Sequence, residues 1–195
     1  MRLDQKVALV KETILYKGWS TLKQFLVHYT REDGKIEHQI REIYDSGDGA
    51  AVLMFDPDAR KILLIRQFRL AALLNGHENG FIVECCAGML DALHPEAAII
   101  KEIFEETGYT VQHVNKIYEA FATPGAHMEK IHFFTCAFQW QDKSHAGGGD
   151  IAEQEEIFIE CYDYADVSGL LRNGNIVDCK TIVLLQWALL HLIDN

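Results

Sequence analysis

The first third of the chain alternates. Residues 7–15 and 22–30 place apolar and polar side chains on opposite sides with a period of two, and IEHQIREIYD at 36–45 does the same. Each stretch reads as a β-strand with two unlike faces. REDG at 31–34 has the composition of a hairpin turn, and SGDG at 46–49 breaks the pattern. An arm of three strands over residues 1–45 is too small to bury a core of its own. It is expected to pack on the rest of the chain, residues 46–195, or on a partner subunit.

The pattern changes at residue 50. AAVLMFD at 50–56 is apolar on both faces and reads as a central strand. DPDAR at 56–60 is a turn, and KILLIRQFRL at 61–70 a second strand with Arg66 and Arg69 at its far end. LNGHENG at 74–80 is a loop, and FIVECC at 81–86 a strand running into Ala87 and Gly88. HPEAAIIKEIFEETG at 94–108 has helical spacing, with Pro95 suited to the first position and Gly108 to the stop. Strands are expected near 111–122 and 130–139, a flexible glycine loop at 145–150, a strand at 157–161, and helices near 162–172 and from about Thr181. This order predicts an α/β fold, a mixed sheet with helices on both sides.

Composition narrows the function. Nearly half of the 195 residues are apolar and about a quarter charged, the mix of a domain with a real core. The formal charge of −11 argues against nucleic acid or an anionic membrane as partner. Five cysteines without a C-x-x-C pair, behind an N-terminus that does not resemble a secretion signal, suggest reduced thiols in a cytoplasm. The longest apolar run, 181–193, contains Gln186 and His191 and is short for a membrane span.

The acids are the candidate chemistry. On the 94–108 helix Glu102 and Glu106 stand four residues apart, with Glu105 on the next row, while Ile100, Ile103 and Phe104 are expected to face the core. A solvated helix face would look the same. Carboxylates converging at about 5 Å, however, would repel by roughly 3 kcal/mol per pair at an effective dielectric near 20. A hard divalent cation such as Mg²⁺ or Mn²⁺ would remove that penalty. A second cluster, EQEE at 153–156, follows the glycines and is either a charged loop or a further donor set. The chain holds no H-E-x-x-H, G-x-S-x-G or G-K-[ST] pattern, so zincin, serine hydrolase and P-loop readings lack support.

Gly88 and KEIFEETGY at 101–109 resemble the box of the Nudix hydrolases, G-x5-E-x7-R-E-U-x-E-E-x-G-U, where U is bulky and aliphatic. Lys101 stands where arginine is usual, and Tyr109 at the last U. The spacing from Gly88 to Glu102 is one residue shorter than the consensus, and His94 replaces the first glutamate. Further stretches, among them DGKIEHQIREIYDSGDGAAVLMF, ILLIRQFR, LNGHENGFIVECCAGMLD, PGAHMEKIHFF and AGGGD, are similar to the branch of pyrophosphatases that cleave nucleotide sugars and ADP-ribose.

The resemblance implies an α/β/α sandwich and a homodimer whose N-terminal strands exchange between subunits. It also implies hydrolysis of a nucleotide-sugar pyrophosphate, foremost GDP-mannose to GMP and mannose 1-phosphate. ADP-ribose or an ADP-sugar is the alternative substrate, and a non-catalytic nucleotide sensor the alternative from another class. As metal ligands it implies Glu102, Glu105, Glu106, Glu155 and the Ala87 carbonyl, with Glu153 or Glu155 orienting the attacking water. For substrate it implies Arg69 and Arg41 as contacts to the nucleotide sugar, with phosphate recognition falling to arginine, Trp19 stacking on the base from the partner subunit, Glu129 and Lys180 as further contacts, and Glu42, Ala87, Gly88 and Met89 as binding positions. Arg41 and Arg69 have a surface ion pair as the plainer alternative, and Trp19 a place in a core or interface. Glu84 is expected either to support the metal shell or to contact it, and His94 to hydrogen-bond or cap the helix.

Overall fold

The computed structural model describes residues 6–150, 152 and 154–193, and the chain divides into two compact units. The first runs to Asp48 and takes in Ala120–Lys130; the second holds Gly49–Glu119 and the chain from Ile131 onward.

In the first unit three strands pair antiparallel in chain order: β1 (Val7–Lys17), β2 (Thr21–Thr30) and β3 (Ile36–Asp45). The hairpin between β2 and β3 closes where expected, the Arg31 N–H donating to the Lys35 carbonyl at 2.8 Å. β1 shifts register between Leu9 and Lys11 and between Ile14 and Tyr16. Such bulges reset the pleat, so the neighbouring apolar pairs Leu9–Val10 and Ile14–Leu15 do not follow simple alternation. The segment 120–130 joins the open edge of β3: the Tyr44 N–H donates to the Ala126 carbonyl (2.8 Å) and the Met128 N–H to the Tyr44 carbonyl (3.0 Å).

The second unit is built on β4 (Gly49–Asp56). It lies mid-sheet, between β5 (Lys61–Phe68) and the parallel β9 (Lys130–Ala137). β10 (Ile157–Asp163) pairs outside β5, and β8 (Asn115–Phe121) outside β9. Both faces of β4 are covered, which is why its sequence is apolar throughout. Ala50, Val52 and Met54 pack with Ile99 and Ile103 of the box helix. Ala51 and Leu53 pack with Val167, Leu184 and Leu185 of the two C-terminal helices. This is the predicted mixed sheet with helices on both sides.

The site grows from a splay in this sheet. β4 and β5 pair only next to their hairpin, Met54–Asp56 against Lys61–Leu63. Beyond it they diverge, and the chain from 81 to 89 fills the gap. β6 (Phe81–Glu84) pairs with β5, and β7 (Cys86–Met89) with β4. The single strand expected at 81–86 is therefore two, exchanging partners at Cys85. The strand expected to reach residue 70 ends at Phe68, and Leu70–Leu74 forms a short helix, α1, which Asn75 and Gly76 terminate. Leucine and alanine favour that turn of helix over an unpaired strand end.

Candidate metal and phosphate site

The box helix, α2 (Pro95–Glu102), starts at His94. The His94 backbone is extended and its carbonyl accepts from the Ala98 N–H at 3.0 Å, but its side chain makes no capping bond. That ring instead borders a cavity of about 590 Å³ with Lys116, Glu119 and His132. After Glu102 the helix widens into one π-turn, Ile103–Thr107, closed by Gly108 at φ 79°. Wider turns of this kind recur at functional sites. Here the turn keeps Ile103 in the core and sends Phe104 outward, 45% exposed against the His145 ring at 4.4 Å. The expectation that Phe104 faces the core is thereby corrected.

The glycine loop is docked rather than free. The Gly108 carbonyl accepts from the N–H groups of Ser144 (2.8 Å) and His145 (3.2 Å). In return the Gly148 N–H donates to the Glu106 carbonyl (2.8 Å) and the Gly149 N–H to the Glu105 carbonyl (3.2 Å). The loop thus satisfies carbonyls that the helix end leaves open. Gly147 must be glycine for this, since a Cβ there would stand 2.5 Å from the Glu106 carbonyl oxygen. The docked loop fixes Glu155, whose Oε2 accepts from the Asp150 N–H at 3.2 Å.

At the C-terminal half of the box Glu106 is within reach of the charges of Glu102 and Glu155. Glu106 is buried, 1% exposed, and Glu102 partly so. Gly88 of β7 makes room for Glu102: a Cβ at Gly88 would lie 2.3 Å from the Glu102 Cδ. Burial pushes the Glu106 carboxyl up to about 8, and the charges of Glu102 and Glu155 push in the same direction. The Cys86 thiol and the Ala87 N–H oppose the rise by donating to it. Glu106 Oε2 is buried with no hydrogen-bond partner among the described residues. Glu105 turns aside to an ion pair with Lys101 at 2.6 Å.

An orphaned carboxylate oxygen among like charges, beside a glycine that clears the approach, fits a hard divalent cation with oxygen ligands. Among the described residues no group of three His, Cys, Asp or Glu side chains is arranged to hold a metal ion. Glu153 lies outside the described residues.

Cations border these acids. Glu84, 1% exposed at the end of β6, accepts from Arg69 through both oxygens, Oε1 from Nε at 2.8 Å and Oε2 from Nη2 at 2.9 Å. Its Oε2 also accepts from Lys180 Nζ at 2.7 Å. Lys180 reaches Asp178 Oδ1 at 2.8 Å, and Asp178 Oδ2 caps the last long helix through the Thr181 N–H (2.9 Å) and hydroxyl (2.6 Å). Burial would raise the Glu84 carboxyl, but Arg69 and Lys180 outweigh it and hold it below its ordinary value. Arg69 is held above its ordinary value by Glu84 and, further off, by Glu106, against the opposing effect of burial. Arg69 and Lys180 are thus joined through Glu84 on the border of the acid cluster.

Met89 ends β7 opposite Gly49. Trp19, Arg41, Glu42 and Glu129 belong to the first unit. Trp19 is 79% exposed in the β1–β2 turn. The Arg41 guanidinium donates to the Ile40 carbonyl and to Gln39, and Glu42 accepts from Gln24 at 3.5 Å. Glu129 lies 3.5 Å from the His127 ring. Cys86, Asp178 and the capping glycines are participants the sequence reading missed. Only DCKT at 178–181 carried a signal, an aspartate three residues before a threonine at a helix start.

Comparison with known proteins gives the family. The NUDIX domain family matches residues 45–180, and the family described as GDP-mannose pyrophosphatase NudK N-terminal domain matches residues 6–44. The GDP-mannose pyrophosphatases of Escherichia coli O157:H7 and of Shigella dysenteriae serotype 1 (strain Sd197) are each 39% identical over 193 residues, 98% of this chain and 100% of theirs. The counterpart from Shigella flexneri is 38% identical over the same span. A crystal structure of an ADP compounds hydrolase shares the fold, with a TM-score of 0.71 and 13% identity over 96% of this chain and 97% of that one.

Proposed function

Because the chain belongs to the Nudix family, we propose that it hydrolyses the pyrophosphate bond of a nucleotide sugar with the aid of Mg²⁺ or Mn²⁺, converting GDP-mannose to GMP and mannose 1-phosphate. The observation that carries the chemistry is the buried, unpartnered Oε2 of Glu106, a carboxyl raised by the charges of Glu102 and Glu155. The full-length likeness to GDP-mannose pyrophosphatases supports the substrate.

In this reading Glu102, Glu106, Glu155 and the Ala87 carbonyl hold the cation, and Glu105 supports them from its pair with Lys101. When bound, the cation neutralises charge on the pyrophosphate and acidifies water. Glu155 or Glu153 accepts the proton of the attacking water. Water attacks one phosphorus, and the bridging oxygen leaves with the other phosphoryl group. Arg69 and Lys180 offer N–H donors to the phosphates, and Gly88 and Met89 border the approach. Trp19 stacks on the base from the arm of a partner subunit in a homodimer, and Arg41, Glu42 and Glu129 are further contacts to the nucleotide sugar. The five free thiols suit a reducing cytoplasm.

The test is hydrolysis of GDP-mannose, ADP-ribose and ADP-glucose with and without Mg²⁺, read as phosphate after phosphatase treatment. The highest kcat/KM is expected for GDP-mannose. Faster turnover of ADP-ribose would replace the substrate while keeping the chemistry. No Mg²⁺-stimulated turnover of any of them would overturn the reading.

A further inference from the structure

We propose that Glu84 is a positioning residue: its carboxylate fixes the Arg69 fork and the Lys180 ammonium so that their remaining N–H groups form a two-cation cradle for one phosphoryl group of the substrate. This rests on the pyrophosphatase reading above and assigns Glu84 to phosphate binding rather than to the metal shell.

The geometry argues for it in three ways. Both Glu84 oxygens are committed to cations at 2.7–2.9 Å, so the carboxylate is not directed at a metal ion. The clamp uses two of the five N–H groups of Arg69, while the Arg69 side chain stays 41% exposed although Glu84 is 1% exposed. Lys180 is held in the same manner from two sides, by Glu84 and by the helix-capping Asp178, with one of its three N–H groups left over. An arginine and a lysine anchored from behind, on the border of the acids, present donors at fixed positions. Pre-set donors spare the ordering that a free side chain would undergo on binding.

A purely structural cluster offers the opposing account. Arg69, Lys180, Glu84 and Asp178 sum to zero charge, and the two acids would then merely quench the two cations. The accounts differ in sign. If Glu84 only quenches, removing its charge frees the cations and strengthens binding of an anionic substrate. If it positions, removing it weakens binding.

The experiment compares wild type, Glu84→Gln, Arg69→Met and the double variant by steady-state kinetics on GDP-mannose at saturating Mg²⁺. Glu84→Gln is expected to raise KM by about tenfold with kcat changed by less than about threefold, the split expected for lost substrate binding. The double variant is expected to have a KM above that of Arg69→Met by less than Glu84→Gln alone raises it, because part of the Glu84 effect passes through Arg69 and the rest through Lys180. An unchanged or lower KM in Glu84→Gln, or additive effects in the double variant, would overturn the assignment. Should Glu84→Gln not fold, Arg69→Lys carries the test, since it keeps the charge and loses the fork. A KM close to that of Arg69→Met supports positioning, and a wild-type KM refutes it. A wild type without activity on any nucleotide sugar overturns this proposal together with the proposed function, whereas an active wild type isolates failure to Glu84.

Discussion

At the scale of single residues, Glu106 has the least comfortable position in the molecule. A glutamate normally titrates near 4.3, whereas burial and its acidic neighbours push this one up to about 8. Between those values the folded protein without metal holds a proton that the unfolded chain has released. Stability therefore falls as pH rises through that window. The penalty is absent below about 4.3 and complete above about 8, on the order of a few kcal/mol. Urea midpoints of the metal-free protein should decline from pH 5 to pH 8, and Glu106→Gln should flatten that decline. The same variant should lose about a thousandfold in kcat, because several kcal/mol of charge stabilisation go with the ligand. A Gln variant that keeps its turnover would remove Glu106 from the proposed cation site. The four-residue spacing of Glu102 and Glu106 was legible in the sequence. The burial of Glu106 was not, because a solvated acidic face and a converging one are spelled alike.

At the scale of elements, two glycines bracket the box and should respond in opposite ways to a methyl group. At Gly88 the new Cβ meets the far end of the Glu102 side chain, which can swing away without disturbing backbone. Gly88→Ala should keep its thermal midpoint within a few degrees yet lose most activity, since the displaced group is a proposed ligand. At Gly108 the new Cβ meets the His145 carbonyl oxygen at 2.1 Å, and the backbone sits at φ 79°. Gly108→Ala should cost about 2–3 kcal/mol or more, because neither the strained backbone nor the docked loop can yield cheaply. Paired thermal melts and rate assays on the two variants check the contrast, and equal melting losses would contradict it.

The elements also mark how far sequence reasoning reached. The alternating β3, the apolar β4 and the Pro95-to-Gly108 helix segment were legible because each follows from local periodicity or capping, whereas the two bulges of β1 break its alternation. The partner exchange at Cys85 depends on how far β4 and β5 diverge, which no local pattern encodes. The glycine loop looked flexible because HAGGGD is permissive by composition. Its positive φ angles instead serve to aim N–H groups at the end of the box helix.

At the scale of the whole molecule, the first unit leaves apolar side chains in water. Ile36, Ile40 and Tyr44 recur at even positions of β3 and so share one face; Ile36 and Ile40 are each 60% exposed. On β1, Tyr16, opposite Leu22 and through it Tyr44, shares that face and is 62% exposed. Fully burying one such side chain is worth about 1.5–3 kcal/mol, and contiguous apolar patches of this kind mark interfaces. The homodimer reading gives that face its cover and lets the arm deliver Trp19 to substrate. Light scattering should therefore give twice the chain mass at micromolar concentration. Ile40→Glu, which places a charge on that face, should shift the protein toward monomer. Its KM for GDP-mannose should rise in step with the monomer fraction, and raising the protein concentration should restore it. A wild type that is monomeric and fully active at micromolar concentration would remove the partner from the site, and the role of Trp19 with it.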